Sequence, residues 1–195
     1  MHKYLLIFLL MFNLSGCGYN DIQSQDEKVT SSWSEVMNQY QRRADLVPNL
    51  VAAIKGYTAH EKDLLEAVTV ARSQANQASA AVKNAPDDAQ KIHQWQTAQA
   101  GLTHAIGQIR IVSERYPELK SHALYQDLMT QLEGTENRIA VARGRYIKAI
   151  EQYNTTIRQF PAVLTAKVMD YQPKTNYLPD DAAAVTKAPV VDFSQ

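Results

Sequence analysis

The sequence predicts an all-α fold, a long four-helix bundle, and three observations predict it. Apolar residues recur at alternating steps of four and three over long stretches, the period of a helix face. Glycines do not mark hairpin turns: Gly16 and Gly18 lie near the N-terminus, and Gly56, Gly101, Gly107, Gly134 and Gly144 fall inside helical stretches. The punctuation comes from prolines instead, with Pro86, Pro117 and Pro161 dividing the chain, Pro48 interrupting one segment, and Pro173, Pro179 and Pro189 in the tail.

Taken from the N-terminus, Tyr4 to Leu14 is apolar except for Asn13, and His2 and Lys3 precede it. The run is about eleven residues, roughly half of what a membrane-spanning helix needs, so it reads as the apolar core of a secretion signal. Leu14-Ser15-Gly16-Cys17 follows and holds the only cysteine of the chain. Small residues before a cysteine are the pattern of a bacterial lipoprotein signal, cleaved between Gly16 and Cys17. The expected lipids are a diacylglycerol on the thiol and an acyl chain such as palmitate on the new amine. The alternative is an ordinary cleaved signal with a chance cysteine. A lone thiol has no disulfide partner, and lipidation gives it a use. Gly18 rather than Asp follows Cys17, which in a Gram-negative cell favours the periplasmic face of the outer membrane.

The expected organisation is a signal over 1–16, a lipidated polar tether over 17–25, a helical domain over 26–169 and an extended tail over 170–195. The first seam steps from Trp33 through Met37, Tyr40, Ala44, Val47, Val51 and Ile54 to Leu65, Val68, Arg72 and Ala75. The second runs from Ile92 through Trp95, Gln99, Leu102 and Ile106 to Ile109. The third runs from Tyr125 through Leu128, Leu132, Thr135, Ile139, Ala142, Tyr146, Ala149, Tyr153 and Thr156 to Phe160. Residues 26–82 as one straight helix would extend about 85 Å, twice the reach of residues 86–115. The chain must therefore bend or find other cover. Pro48 supplies a mechanism, because it has no N–H and its ring opposes the carbonyl of Ala44. Residues 26–82 are then one helix kinked there or two helices broken there, and a break gives the four segments of a bundle. Asp87-Asp88 opens the next helix and Ser121 can cap the one after Pro117. The last residues, Ala188 to Phe193, are apolar enough to dock back, or else form a disordered terminus.

Charge and motifs limit the function. The chain has 20 Lys+Arg against 20 Asp+Glu, which gives no electrostatic case for nucleic acid. No phosphate loop, hydrolase elbow or zinc motif is present, and His60, His93, His104 and His122 are scattered. No nucleophile–base pair can be named, so a non-catalytic chain without metal or cofactor is expected, apart from covalent lipid on Cys17. Two polar groupings are candidates for interaction. Arg42, Arg43, Asp45 and Asn49 surround Pro48: Arg42 and Asp45 can pair at i,i+3, and Asn49 can satisfy backbone freed by the proline. That set is a repaired kink or a polar notch for a partner. Glu61 and Arg72 fall on the first seam, with Glu136 and Arg143 beside the third. Buried charges need partners, so these are interhelical ion pairs, rim residues reaching water, or a polar ligand site in the core. The helical glycines read as close helix approaches, and Tyr40, Tyr57, Tyr146 and Tyr153 as core residues with their hydroxyls at the edge.

Several stretches together resemble the LemA family of bacterial envelope proteins. They are Gly18-Tyr19-Asn20, Val36 to Val51 with Arg42-Arg43-Ala44-Asp45-Leu46-Val47-Pro48 at its centre, and Lys55-Gly56-Tyr57. His60-Glu61, Ala71-Arg72, Glu114 to Lys120, Glu136, Ala142-Arg143, Tyr146, Tyr153-Asn154, Phe160-Pro161 and Val191-Asp192-Phe193 complete the set. The resemblance implies an antiparallel helical bundle on the non-cytoplasmic side of a membrane. Many relatives carry an N-terminal transmembrane helix where this chain has a lipobox. The family has no agreed biochemical activity. The expected role is a lipid-anchored interaction or scaffold module with an envelope protein as partner; the alternative is a small-molecule or peptide binder using the polar core.

Overall fold

The structure is a computed structural model that describes residues 18–57, 61–86 and 88–175. Six helices account for most of them: α1 (Tyr19–Lys55), α2 (Lys62–Lys83), α3 (Ala89–Ser113), α4 (Pro117–Ser121), α5 (Ala123–Thr156) and α6 (Ala162–Val168). No strand occurs among the described residues, in keeping with the all-α expectation. Cys17, His60 and the Ala188–Phe193 segment lie outside the described residues.

Two features of the first helix differ from the sequence expectation. α1 begins at Tyr19, so residues 19–25 are helix rather than tether. The reason is a second apolar row at steps of seven, Ile22, Val29, Val36 and Leu50, which the Trp33 seam does not include; all four are buried. The break is also misplaced. α1 continues through Pro48 to Lys55, and the chain turns between Gly56 and Glu61, ahead of α2.

The other helix ends follow local chemistry. Asp88 caps α3, its carboxylate accepting from the backbone N–H of Gln90 at 3.0 Å and Lys91 at 3.1 Å. Pro117 occupies the first turn of α4, where its missing N–H costs nothing. Ser121 does not cap α5; its hydroxyl donates to the Glu118 carbonyl and His122 takes the capping position.

The core forms two apolar clusters. In one, Ile22, Val29, Val36 and Tyr40 of α1 meet Ile139, Tyr146, Ile150 and Tyr153 of α5, with Val82 of α2 and Trp95 of α3. In the other, Val47, Leu50 and Ile54 of α1 meet Tyr125, Leu128 and Leu132 of α5, with Leu65 and Val68 of α2 and Leu102 and Ile109 of α3. The start of α1 thus lies by the end of α5, called the base below, and the end of α1 by the start of α5, called the tip. Trp95 is fully buried and its ring packs edge-on to Trp33 at 5.2 Å and Tyr40 at 4.8 Å, worth about 0.5–1.5 kcal/mol per pair beyond area burial.

Helix length explains what covers the base. α1 and α5 are about 55 and 51 Å long, α2 and α3 only about 33 and 37 Å. The surplus is covered by α6, which buries Ala162 and Ala166 against Ile22 and Ile157, and by residues 171–175. Asn154 of α5 holds that segment, donating to the Lys174 carbonyl and accepting from its N–H, both at 2.8 Å. Lys174 also pairs with Asp26 at 2.9 Å. The packed unit therefore extends past both expected limits of 26 and 169.

The helical glycines are not close approaches. A Cβ at Gly101, Gly107 or Gly144 would meet nothing within 4 Å. Gly18 is different: its φ is +121° and a Cβ there would lie 2.8 Å from the Ala162 Cα. Gly144→Ala is therefore expected to raise stability by about 0.5–1 kcal/mol, and Gly18→Ala to lower it by about 1–3 kcal/mol, both read from urea denaturation midpoints.

Candidate functional site

Arg43 stands at the junction of the two clusters. It falls in the row Ile22, Val29, Val36, Arg43, Leu50, so the apolar step of seven carries a guanidinium into the core, where Arg43 is 1% exposed. One terminal nitrogen donates to Glu136 Oε1 of α5 at 2.7 Å and to the Thr103 hydroxyl of α3 at 2.6 Å. The other donates to the Gln99 carbonyl at 3.1 Å and its side-chain oxygen at 2.7 Å. The Gln99 amide and the Trp95 indole N–H both donate to Ser79 of α2, each at 3.1 Å. The guanidinium lies 5.0 Å from the Tyr40 ring centroid, which favours the cation, and Nε is buried without a hydrogen-bond partner. Side chains from all four long helices thus form one polar layer. Seven-residue stepping from Ile22 was the signal for Arg43; proximity to Pro48 had instead placed it in a repaired kink or a polar notch.

The next residue completes the junction. Pro48 leaves the Ala44 carbonyl without its usual intrahelical donor, and Arg72 Nε of α2 donates to it at 2.8 Å. Asn49, expected to make this repair, is exposed, as are Arg42, Asp45 and Pro48. Asp45 accepts from Gln41 at 2.7 Å rather than pairing with Arg42. Beside Pro48 an open groove of about 270 Å³ runs between α1 and α2, lined by Val47, Pro48, Val51, Ala52, Lys55, Thr69 and Arg72.

Glu61 does not meet Arg72 or Arg143. It lies at the tip, where its carboxylate accepts from Arg115 at 3.0 Å and the Tyr116 hydroxyl at 3.1 Å. That hydrogen bond, and the negative charge of Glu61, hold the Tyr116 phenol above its usual range. Tyr57 packs on His122 at 5.2 Å in the same region, so the turn before α2 is joined to the turns flanking α4. Tyr57 keeps much of its ring exposed, unlike the buried Tyr40, Tyr146 and Tyr153. Arg143 is half-buried on α5, between Ile139 and Tyr146. No group of three metal-ligating side chains occurs among the described residues, and none of their helices is long and apolar enough to cross a membrane.

A family model described as the LemA family matches residues 32–193. The chain belongs to that family. The match takes in the Arg43–Glu136 layer, the Pro48 groove and the Glu61 tip together. The LemA chain is also similar to curated relatives over a shorter stretch. Magnetosome proteins MamQ 2 and MamQ 1 of Paramagnetospirillum magneticum are each 38% identical to it over 64 residues, 33% of this chain and 24% of theirs. Magnetosome protein MamQ of Magnetospirillum gryphiswaldense is 33% identical over 64 residues, with the same coverage. The chain thus spans about a quarter of the length of these relatives.

Two outcomes are expected from the junction. Arg43→Ala should cost about 2–4 kcal/mol in chemical denaturation, because it leaves a cavity and an unpaired Gln99 in the core, while Glu136, 44% exposed, is hydrated. Arg72→Ala should cost about 1–2 kcal/mol in the native chain but less in a Pro48→Ala background, where residue 48 regains an N–H for Ala44. A double-mutant cycle should then show about 1 kcal/mol of coupling; purely additive losses would reject the carbonyl repair.

Proposed function

We propose that this LemA chain is a lipid-anchored, non-catalytic interaction module of the cell envelope, its four long helices forming an antiparallel bundle. The opposed sharing of clusters by α1 and α5 supports that arrangement. Acylation at Cys17 rests on the lipobox, and it sets the bundle on the non-cytoplasmic side, at the periplasmic face of the outer membrane in a Gram-negative cell. The partner in this reading is an envelope protein.

The observation that carries the module reading over the ligand-binding one is the use made of the internal charges. Arg43 is spent on Gln99, Thr103 and Glu136, Arg72 on the Ala44 carbonyl, and Glu61 on Arg115 and Tyr116. A ligand in the core would have to break these bonds and leave buried groups unpaired, at about 1–3 kcal/mol each. Of the exposed set Arg42, Asp45, Pro48 and Asn49, Pro48 lines the α1–α2 groove, with Lys55 and Arg72 offering cations over an apolar floor. A partner segment with an apolar side chain and a carboxylate fits that lining. The magnetosome assignment of the MamQ relatives belongs to those proteins, since this chain matches only a short part of each.

The test is photocrosslinking in intact cells from Ala52, exposed in the groove lining, with Lys148 of α5 as control and the mass of the recovered protein reporting acyl groups on Cys17. A partner captured from Ala52 and not from Lys148, on a protein whose mature chain starts at an acylated Cys17, is expected. Acylated protein with no capture from Ala52 would reject the groove as partner site.

A further inference from the structure

The base of the bundle carries an apolar face that no described helix covers. α6 turns Ala162 and Ala166 inward. Leu164 and Val168 are four residues apart on α6, which puts them on one side of that helix, and they are 58% and 83% exposed. Phe160, 75% exposed in the turn before the helix, and Met169, just after it, flank them. Single exposed apolar side chains are ordinary on a protein surface, but this cluster along one short segment marks a contact surface. Arg158 and Lys167 bring exposed cations to the same segment. Its acid, Asp170, accepts a hydrogen bond from Gln172 at 2.6 Å.

The location of this face is set by Gly18. The backbone there is packed so tightly on α6 that a Cβ would lie 2.8 Å from the Ala162 Cα. The chain is thus held against α6 at Gly18, the residue bonded to Cys17. We propose that the Leu164–Val168 face lies in the lipid interface beside the anchor, so that the bundle meets the bilayer through acylated Cys17 and an apolar wedge together. This rests on the reading of Cys17 as the acylated residue. Acyl chains attached there bring a hydrocarbon surface to α6 itself. An interfacial helix sinks its apolar side about 5–10 Å into the headgroup boundary while flanking cations meet anionic lipid, as Arg158 and Lys167 are placed to do. Because α1 starts at Tyr19, the linkage leaves little slack, and the wedge limits tilting of the bundle on its anchor.

The acylated protein has no free thiol, so one added cysteine takes one dye. Leu164→Cys, Val168→Cys and, at the tip, Leu124→Cys are labelled with an NBD maleimide and reconstituted in phosphatidylethanolamine–phosphatidylglycerol vesicles, with intact mass reporting acylation of each sample. NBD at positions 164 and 168 is expected to emit to the blue and to be quenched by brominated lipid roughly threefold more than at 124. Acylated protein whose 164 and 168 labels stay in water overturns the wedge and leaves the anchor standing. Samples without acyl mass overturn the anchor, and the wedge is then decided on the Cys17→Ser chain in the same vesicles. Entry of the 164 label into lipid upholds it; a label remaining in water overturns it. A blue shift at 164 without lipid that grows with protein concentration assigns the face to a second copy of the chain and overturns the lipid assignment.

Discussion

The packing of the long helices depends on one buried guanidinium. Arg43 sits where an apolar side chain would otherwise continue the Ile22–Val29–Val36–Leu50 row, and both its terminal nitrogens donate to α3 or α5. The carbonyl one residue later, freed by Pro48, takes the arginine of α2. Two consecutive residues of α1 thus hold the other three long helices by directional bonds. Apolar clusters on either side supply the burial, yet they tolerate sliding between neighbouring heptads, because Leu, Ile and Val contacts are not directional. The polar layer does not: a shift of one turn would strand a charge and several donors. Register is the property such groups are best placed to set.

Length mismatch is the second constraint, and it makes the two ends of the molecule different. α2 and α3 end short of the base, so α6 and the 171–175 segment cover the remainder of α1 and α5. At the tip, where the four long helices meet, cover comes from α4 and from the Glu61–Arg115–Tyr116 contacts. The base is left with the exposed Leu164 and Val168 beside Gly18, where the chain comes from Cys17. In the proposed orientation that end faces lipid and the Pro48 groove and the tip are presented to the aqueous side.

Much of this was legible in the residues. Every position of the third seam from Tyr125 to Tyr153 is buried, because a long uninterrupted helix preserves its phase over many turns; Thr156 and Phe160, where the helix ends, are not buried. The turns near Pro86, Pro117 and Pro161 and the helix start at Asp88 also followed from local chemistry. The Pro48 neighbourhood was recognised as special, but its consequence was misjudged. A proline removes one donor and one turn's comfort; whether the helix breaks depends on what else can reach the carbonyl, and Arg72 belongs to another helix. Glu61 and Arg72 were identified as needing partners, but Arg115, Tyr116 and a backbone oxygen could not be selected from a list of charges. The glycines misled for a related reason: a helical glycine looks the same in sequence whether a neighbour presses on it or water does.

The sequence by itself determined the helical class, most helix ends and the faces that must be buried, since periodicity and capping act within a few residues of the chain. It also supplied the lipobox at Cys17, on which the membrane reading rests. Only the tertiary structure decided that Arg43 is the buried charge, that Arg72 repairs the proline, that α1 begins at Tyr19 and that α6 closes the base. Each of these is a contact between segments tens of residues apart, and its existence depends on relative helix length and register, which no local pattern encodes.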